Sequence, residues 1–129
     1  MAWGPHYDYH AVWMKRWEAM KADGGKVATS HFQLPWVLGV PDMETAMEKL
    51  KKFTLAGVAE RITCPMLVYW GEEDKLTPRE AAHQLYSAVG SRDKTLKIFA
   101  TGEGGAEHCQ VDNRQVGTDY IADWLAARL

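Results

Sequence analysis

Two residues in the second half of the chain could form a catalytic pair, Asp74 and His108. A carboxylate that accepts a hydrogen bond from one ring nitrogen of histidine fixes the tautomer and makes the other nitrogen a base. Asp74 closes the stretch Gly71–Asp74 after one apolar run, and His108 closes Gly104–His108 after another. The pair therefore forms only if the fold brings these two loops together.

Three neighbours of this pair have simpler explanations. Glu72 and Glu73 are acidic residues that a solvated turn accommodates without a catalytic role. Cys109 follows His108 directly, and a cysteine–histidine pair can be nucleophilic. Adjacent residues on one loop seldom direct their side chains at each other, so we expect a structural role for Cys109.

Cofactor and metal sites have weak support in the sequence. His6–His10 offers alternating polar side chains, but a metal site needs three or four ligands at fixed geometry, and no further ligands are evident. The glycine-rich loop Gly102–Gly105 lacks the GK[ST] sequence of a phosphate-binding loop and opens no helix with GxGxxG. We therefore expect no metal and no cofactor, nucleotides included.

The elements after residue 62 alternate between strand and helix. The apolar runs Pro65–Trp70 and Thr95–Ala100 predict buried strands. Between them, Thr77 as N-cap and Glu80 as its capping-box partner predict a helix, and Asp112 marks the start of another that continues to the end of the chain. Strands joined by a helical crossover are parallel, so both carboxyl ends open at one edge, about 5 Å apart. The fold class is therefore α/β.

The first half of the chain is predicted to be mainly helical. Apolar residues at helical spacing predict a helix over 7–22, which Asp23-Gly24-Gly25 ends. The other predicted features are an irregular segment or one short turn over 26–41, a helix from an Asp42 N-cap to about Phe53, and a short turn within Thr54–Arg61.

Composition and charge exclude several classes of partner. The net charge is −2, which favours neither nucleic acid nor an acidic membrane surface. No apolar run approaches the roughly 18 residues of a membrane span, and the N-terminus lacks the features of a signal peptide. The two cysteines form no CxxC pair, so a reducing cytoplasm is the expected location.

The stretch Ile62–Pro78 resembles the penultimate strand and acid turn of α/β-hydrolases, with a proline, an apolar strand, G-x-x-D and a proline-capped helix. The resemblance implies that Asp74 is the acid of a Ser-His-Asp triad. Gly104–Gln110 resembles the loop with the family's catalytic histidine, which falls on His108. Tyr120–Leu125 is similar to the family's last helix. Residues 62–129 would then be the C-terminal strand-helix-strand-helix part of the hydrolase core.

A narrower resemblance rests on Lys52–Ala59 and Gly104–Gln110. These segments are similar to the group of esterases and carbon–carbon bond hydrolases that includes dihydroxypseudooxynicotine hydrolase and fungal polyketide-shortening hydrolases. The resemblance implies a small-molecule ester or ketone as substrate. It also implies that residues 1–61, which contain four of the six tryptophans, form a helical cover of the active site.

The nucleophile of the family is not recognisable in this chain. It belongs in a G-x-S-x-G elbow, whereas Ser30, Ser87 and Ser91 lie in no such motif. We therefore expect a C-terminal fragment of a hydrolase that is inactive alone, or, as the alternative, a non-catalytic binding or dimerisation module. Two strands would leave one edge unpaired, so we expect self-association or a partner bearing the missing strands.

Overall fold

The computed structural model describes residues 1–22 and 33–129, which divide into two compact units. One unit is Asp8–Thr54 and is called the helical unit below. The other combines Met1–Tyr7 with Leu55–Leu129 and is called the sheet unit. Both predicted site residues, Asp74 and His108, lie in the sheet unit.

The sheet has three parallel strands in the order β1-β2-β3, which are Ala2–Trp3, Met66–Gly71 and Lys94–Phe99. The central strand β2 is buried along its whole length, as expected for a strand covered on both faces. β2 pairs in register with all of β3. The predicted α/β class with parallel strands is therefore confirmed.

The prediction of only two strands was wrong. β1 pairs with the outer edge of β2, where Ala2 lies opposite Val68 and Trp3 opposite Tyr69. A strand of two residues is too short to show the alternation or apolar run by which strands are predicted. The edge expected to be open is thus partly covered.

The helical unit contains α1 (Tyr9–Ala22), α2 (Gln33–Leu38) and α3 (Met43–Leu50). α1 lies within the predicted helix over 7–22, and the stop predicted at 23–25 lies outside the described residues. Asp42 caps α3 as predicted, because its side chain accepts a hydrogen bond of 2.8 Å from the Thr45 amide. The unit has its own apolar core, formed by the buried residues Trp13, Leu34, Met43, Ala46, Met47 and Leu50.

Part of the segment predicted as irregular is helical. The prediction over 26–41 allowed one short turn, and α2 fills that place within its described part. Residues 26–32 lie outside the described residues. The short turn predicted before β2 is the 3₁₀ helix Ala59–Arg61.

Two further helices, α4 (Arg79–Ala88) and α5 (Arg114–Ala126), follow β2 and β3. Alternate residues of β2 face opposite sides of the sheet, and each side has its own core. Val68 and Trp70 pack in a cluster with Ala82 and Leu85 of α4. On the other side a smaller core packs against α5, formed by Leu67, Tyr69 and Phe99 with Val116, Tyr120, Ile121 and Trp124.

A row of aromatic rings crosses the sheet from its first strand to its last helix. Trp3 lies 5.4 Å from Tyr69, Tyr69 lies 6.0 Å from Phe99, and Phe99 lies 5.7 Å from Tyr120, measured between ring centroids. The last two contacts are edge-to-face, the arrangement that the ring quadrupole favours.

In residues 1–22 and 33–129, no helix is long and apolar enough to cross a membrane.

Candidate active site

Asp74 is held by the turn that contains it, Gly71–Thr77, called the acid turn. Its Oδ1 accepts hydrogen bonds from the amides of Leu76 (2.8 Å) and Thr77 (2.9 Å), and its Oδ2 accepts one from the Thr77 hydroxyl (3.1 Å). An aspartate that binds amides two and three residues on forms a local turn without help from the rest of the fold. The Asp74 side chain is fully buried, so its orientation is fixed.

His108 meets Asp74 at the carboxyl edge of the sheet. The distance from His108 Nδ1 to Asp74 Oδ2 is 2.8 Å. A carboxylate can only accept, so Nδ1 carries the proton and Nε2 of the neutral ring has a free lone pair. The His108 side chain is 30% exposed. The structure thus brings the two predicted site residues together, with a basic nitrogen turned away from the acid.

Thr77 has a different role from the one predicted. Pro78, not Thr77, is the N-cap of α4, and no side chain caps this helix, so the predicted Thr77–Glu80 capping box was wrong. The Thr77 hydroxyl donates to Asp74 and lies 3.3 Å from His108 Nδ1. Because Thr77 is buried, its hydroxyl is held in place to donate to the Asp74 carboxylate.

Asp112 organises the loop Gly104–Asp112, called the histidine loop. Its carboxylate accepts hydrogen bonds from the amides of Gly105 (2.8 Å), Ala106 (3.0 Å) and Glu107 (3.0 Å). The predicted start of the last helix at Asp112 was therefore wrong, and Asn113 is the N-cap. Desolvation pushes the pKa of Asp112 upward, but the amides that it accepts from outweigh this effect and hold the pKa below its ordinary value.

The two loops are in direct contact at Gly71. The Glu73 amide donates to the Ala106 carbonyl at 2.8 Å. A Cβ on Gly71 would lie 2.2 Å from that same carbonyl oxygen and 2.6 Å from the Glu107 oxygen. Only glycine leaves room here for the backbone of the histidine loop to cross the acid turn, which explains the glycine of G-x-x-D in this chain.

The sequence predicted a structural role for Cys109, and the structure places its thiol beside His108. The expectation that it points away from His108 was wrong, because its Sγ lies 3.3 Å from His108 Nε2. Cys109 and Gln110 both have left-handed backbone conformations, with φ of 52° and 50°. With this bend the side chains of His108 and Cys109, although adjacent in the chain, face each other. Burial, and then the negative charge of Asp74, raise the pKa of the Cys109 thiol.

The N-terminal strand also supports the histidine loop. The Trp3 indole donates a hydrogen bond of 2.5 Å to Gln110 Oε1, and the Gln110 side chain is fully buried. A Cβ on Gly4 would lie 3.3 Å from Cys109 Sγ, so the backbone of Gly4 packs against the thiol. No pattern in the sequence indicates these contacts, because they join residues from opposite ends of the chain.

The other acidic and serine residues considered from the sequence, where they are described, make contacts away from the Asp74–His108 pair. Glu72 accepts hydrogen bonds from Thr101 at the surface. Ser87 lies in α4, and Ser91 is buried and donates to the Asp93 carbonyl. Ser30 lies outside the described residues. Among the described residues no group of three or more histidine, cysteine or acidic side chains is placed to hold a metal ion.

A cleft of about 430 Å³ opens beside the histidine. It lies between the two loops, and both contribute to its wall. It is large enough to admit the reacting part of a small molecule. Its lining residues are Glu73, Lys75, Leu76, Thr101, Ala106, Glu107, His108, Val111 and Asp112.

Two comparisons with known proteins bear on this site. A family model described as serine aminopeptidase, S33, matches residues 30–103, a span that contains Asp74 and ends before His108. The chain is also 25% identical over 126 residues to RutD of Escherichia coli O6:H1, a protein provisionally named as a carbamate hydrolase. That match covers 97% of this chain and 42% of the relative. The chain thus spans about two fifths of the length of that protein.

Proposed function

This chain belongs to the serine aminopeptidase S33 family of α/β-hydrolases, and from that premise we propose that it supplies the acid and the base of a serine hydrolase active site. Asp74 is the acid and His108 is the base. The observation that carries the proposal is the 2.8 Å contact between them at the carboxyl edge of a parallel sheet, where open α/β sheets place their ligands.

The nucleophile in this proposal is a serine that is not within residues 1–129. His108 Nε2 takes the serine proton as the oxygen attacks a carbonyl carbon of the substrate. Asp74 stabilises the imidazolium that results and keeps the ring oriented through Nδ1. The imidazolium then gives its proton to the leaving group. Without the serine, the pair alone does not complete this cycle.

The substrate that we propose is an ester or a carbon–carbon bond next to a ketone, in an aromatic or polyketide-like molecule. The narrower sequence resemblance supports this choice, and Leu76 and Val111 give the cleft apolar wall. The name of the Escherichia coli relative points to carbamates, whose carbonyl is open to the same attack. A carbamate therefore belongs in the substrate panel beside an aryl ester and a β-diketone.

We propose that a polypeptide segment bearing further strands completes the sheet at β1. β1 pairs with only two residues of β2, and a short, incompletely paired edge favours the addition of another strand. In the absence of that segment we expect the chain to associate with itself. Size-exclusion chromatography with light scattering measures this, and a clean monomer at high concentration would contradict it.

The proposed function is tested on a longer product of the same gene. We expect the reading frame upstream of Met1 to encode a G-x-S-x-G segment, and the longer protein to react with a fluorophosphonate probe at that serine. His108→Ala should abolish turnover in that protein with little loss of stability. An upstream frame without such a segment would favour the non-catalytic module, and labelling of Ser30 would overturn our account of the nucleophile.

A further inference from the structure

The thiol of Cys109 lies where a nucleophile must lie to be activated by His108. Asp74 fixes the proton on Nδ1, so Nε2 faces Cys109 as an acceptor. The thiol is the donor in the 3.3 Å contact between Sγ and Nε2, which is within the range for a hydrogen bond to sulfur. Two contacts thus connect a carboxylate, an imidazole and a thiol within one chain, namely those of Asp74, His108 and Cys109.

We propose that Cys109 is a second nucleophile, whose thiol accepts acyl groups from activated carboxylic esters with His108 as general base. The inference uses the Asp74–His108 base of the proposed function, but not its serine. It gives the isolated chain a reactivity that the serine mechanism does not.

The chemical step balances within the groups present. As the carbon–sulfur bond forms, the thiol proton moves to Nε2. The tetrahedral intermediate then expels the alcohol or phenol, which takes the proton from the imidazolium. The product is a thioester on Cys109. Because the thiol has a raised pKa and is protonated at neutral pH, the reaction requires the histidine to remove its proton.

Two polar groups in the interior of the sheet unit have hydrogen-bonding capacity that the described residues do not use. The Tyr69 hydroxyl and the Gln110 amide nitrogen are buried and have no hydrogen-bond partner among the described residues. Gln110 follows Cys109 in the chain, and Trp3 occupies its Oε1. Burial raises the pKa of the Tyr69 phenol, and a negative charge on Cys109 would raise it further, so the phenol stays a donor. Unpartnered buried donors are costly, so both groups would gain from an acyl oxygen brought within their reach.

The experiment exposes this chain alone to p-nitrophenyl acetate and locates the acetyl group by peptide mass spectrometry. Cys64 is the internal control, because it is an exposed free cysteine. We expect acetylation of Cys109 to be faster than that of Cys64. His108→Ala should slow acetylation of Cys109 by about a hundredfold, the lower end of what a positioned general base contributes, and leave Cys64 unchanged. Cys109→Ala should remove the fast phase of p-nitrophenol release.

Several outcomes would overturn the inference. These are equal rates at Cys64 and Cys109, no acetyl group on Cys109, or an unchanged Cys109 rate in the His108→Ala protein. Asp74→Asn is a second variant in case His108→Ala does not fold, and it should also slow Cys109 without affecting Cys64. If Cys109 stays unmodified while the longer protein still needs His108 for turnover, this inference fails and the proposed function stands. If His108 is dispensable for acetylation of Cys109 and also for turnover of the longer protein, the inference and the proposed function both fail.

Discussion

The acid turn and the histidine loop hold their side chains by different means. The acid turn fixes Asp74 with donors from its own next residues, Leu76 and Thr77. The histidine loop is held from within by the carboxylate of Asp112, which accepts from three of its amides. It is also held from outside, by the indole of Trp3 in the first strand and by the Glu73 amide of the acid turn. Asp74 is therefore fixed within its own turn, whereas the position of His108 also depends on the first strand of the sheet. Damage to tertiary structure should displace His108 before Asp74.

The largest expected effect comes from Gly71→Ala, where the two loops cross. The added Cβ would lie 2.2 Å from the Ala106 oxygen and 2.5 Å from its carbon. Backbone cannot yield as a side chain does, so we expect a loss of about 3 kcal/mol or more in the free energy of unfolding. Urea unfolding measures this loss. Gly102→Ala is the matched control, because a Cβ there meets nothing within 4 Å. Equal stabilities of the two variants would show that the loops do not touch as described.

The second prediction compares the two site residues directly. Asp74→Ala leaves three donors of the acid turn without their acceptor, and we expect it to cost about 2 kcal/mol. His108→Ala should cost less than about 1 kcal/mol, because the His108 side chain is 30% exposed and water can replace its hydrogen bond. Thermal and urea unfolding of both variants give the comparison. If His108→Ala lost more stability than Asp74→Ala, the conclusion that the acid turn supports itself would be wrong.

Thr77→Val tests whether the buried hydroxyl positions the pair. The substitution keeps the shape of the side chain and removes a donor to Asp74 Oδ2. We expect a loss of about 1 kcal/mol in stability, the net value of one such bond, and a slower acylation of Cys109. Unfolding curves and the acetylation rate measure these two effects. An unchanged rate together with lower stability would limit Thr77 to a structural role.

The smallest effect is the acid sensitivity of the histidine loop. The folded pKa of Asp112 is lowered, so its contribution to stability is present above the unfolded value, near 3.9, and is lost as the pH falls through the folded value. The amide proton shifts of Gly105 and Ala106 should change over this interval. Asp112 is exposed and the solvent screens its interactions, so the effect on global stability is small. Asp112→Asn should abolish the pH dependence of these shifts, and shifts that persist in that variant would exclude Asp112 as the cause.

The sequence was informative about the long strands and the way they are connected. The apolar runs predicted both long strands, and the rule for parallel crossovers predicted that Asp74 and His108 would meet. Prediction from the sequence failed where a polar side chain had two possible partners. Thr77 and Asp112 both carry the signals of an N-cap, but each bonds within its own loop instead, and the N-cap pattern does not distinguish these two local arrangements. The bend at Cys109 was also beyond prediction, because a left-handed cysteine has no residue preference that reveals it.

The row of rings from Trp3 to Tyr120 gives the molecule an optical reporter. Rings locked in asymmetric contact produce ellipticity in the near ultraviolet, and this signal vanishes when packing loosens while helices and strands persist. Trp3 also donates to Gln110 beside the reactive thiol. Near-ultraviolet circular dichroism therefore distinguishes a variant whose interior has become fluid from one that has lost only a single chemical group.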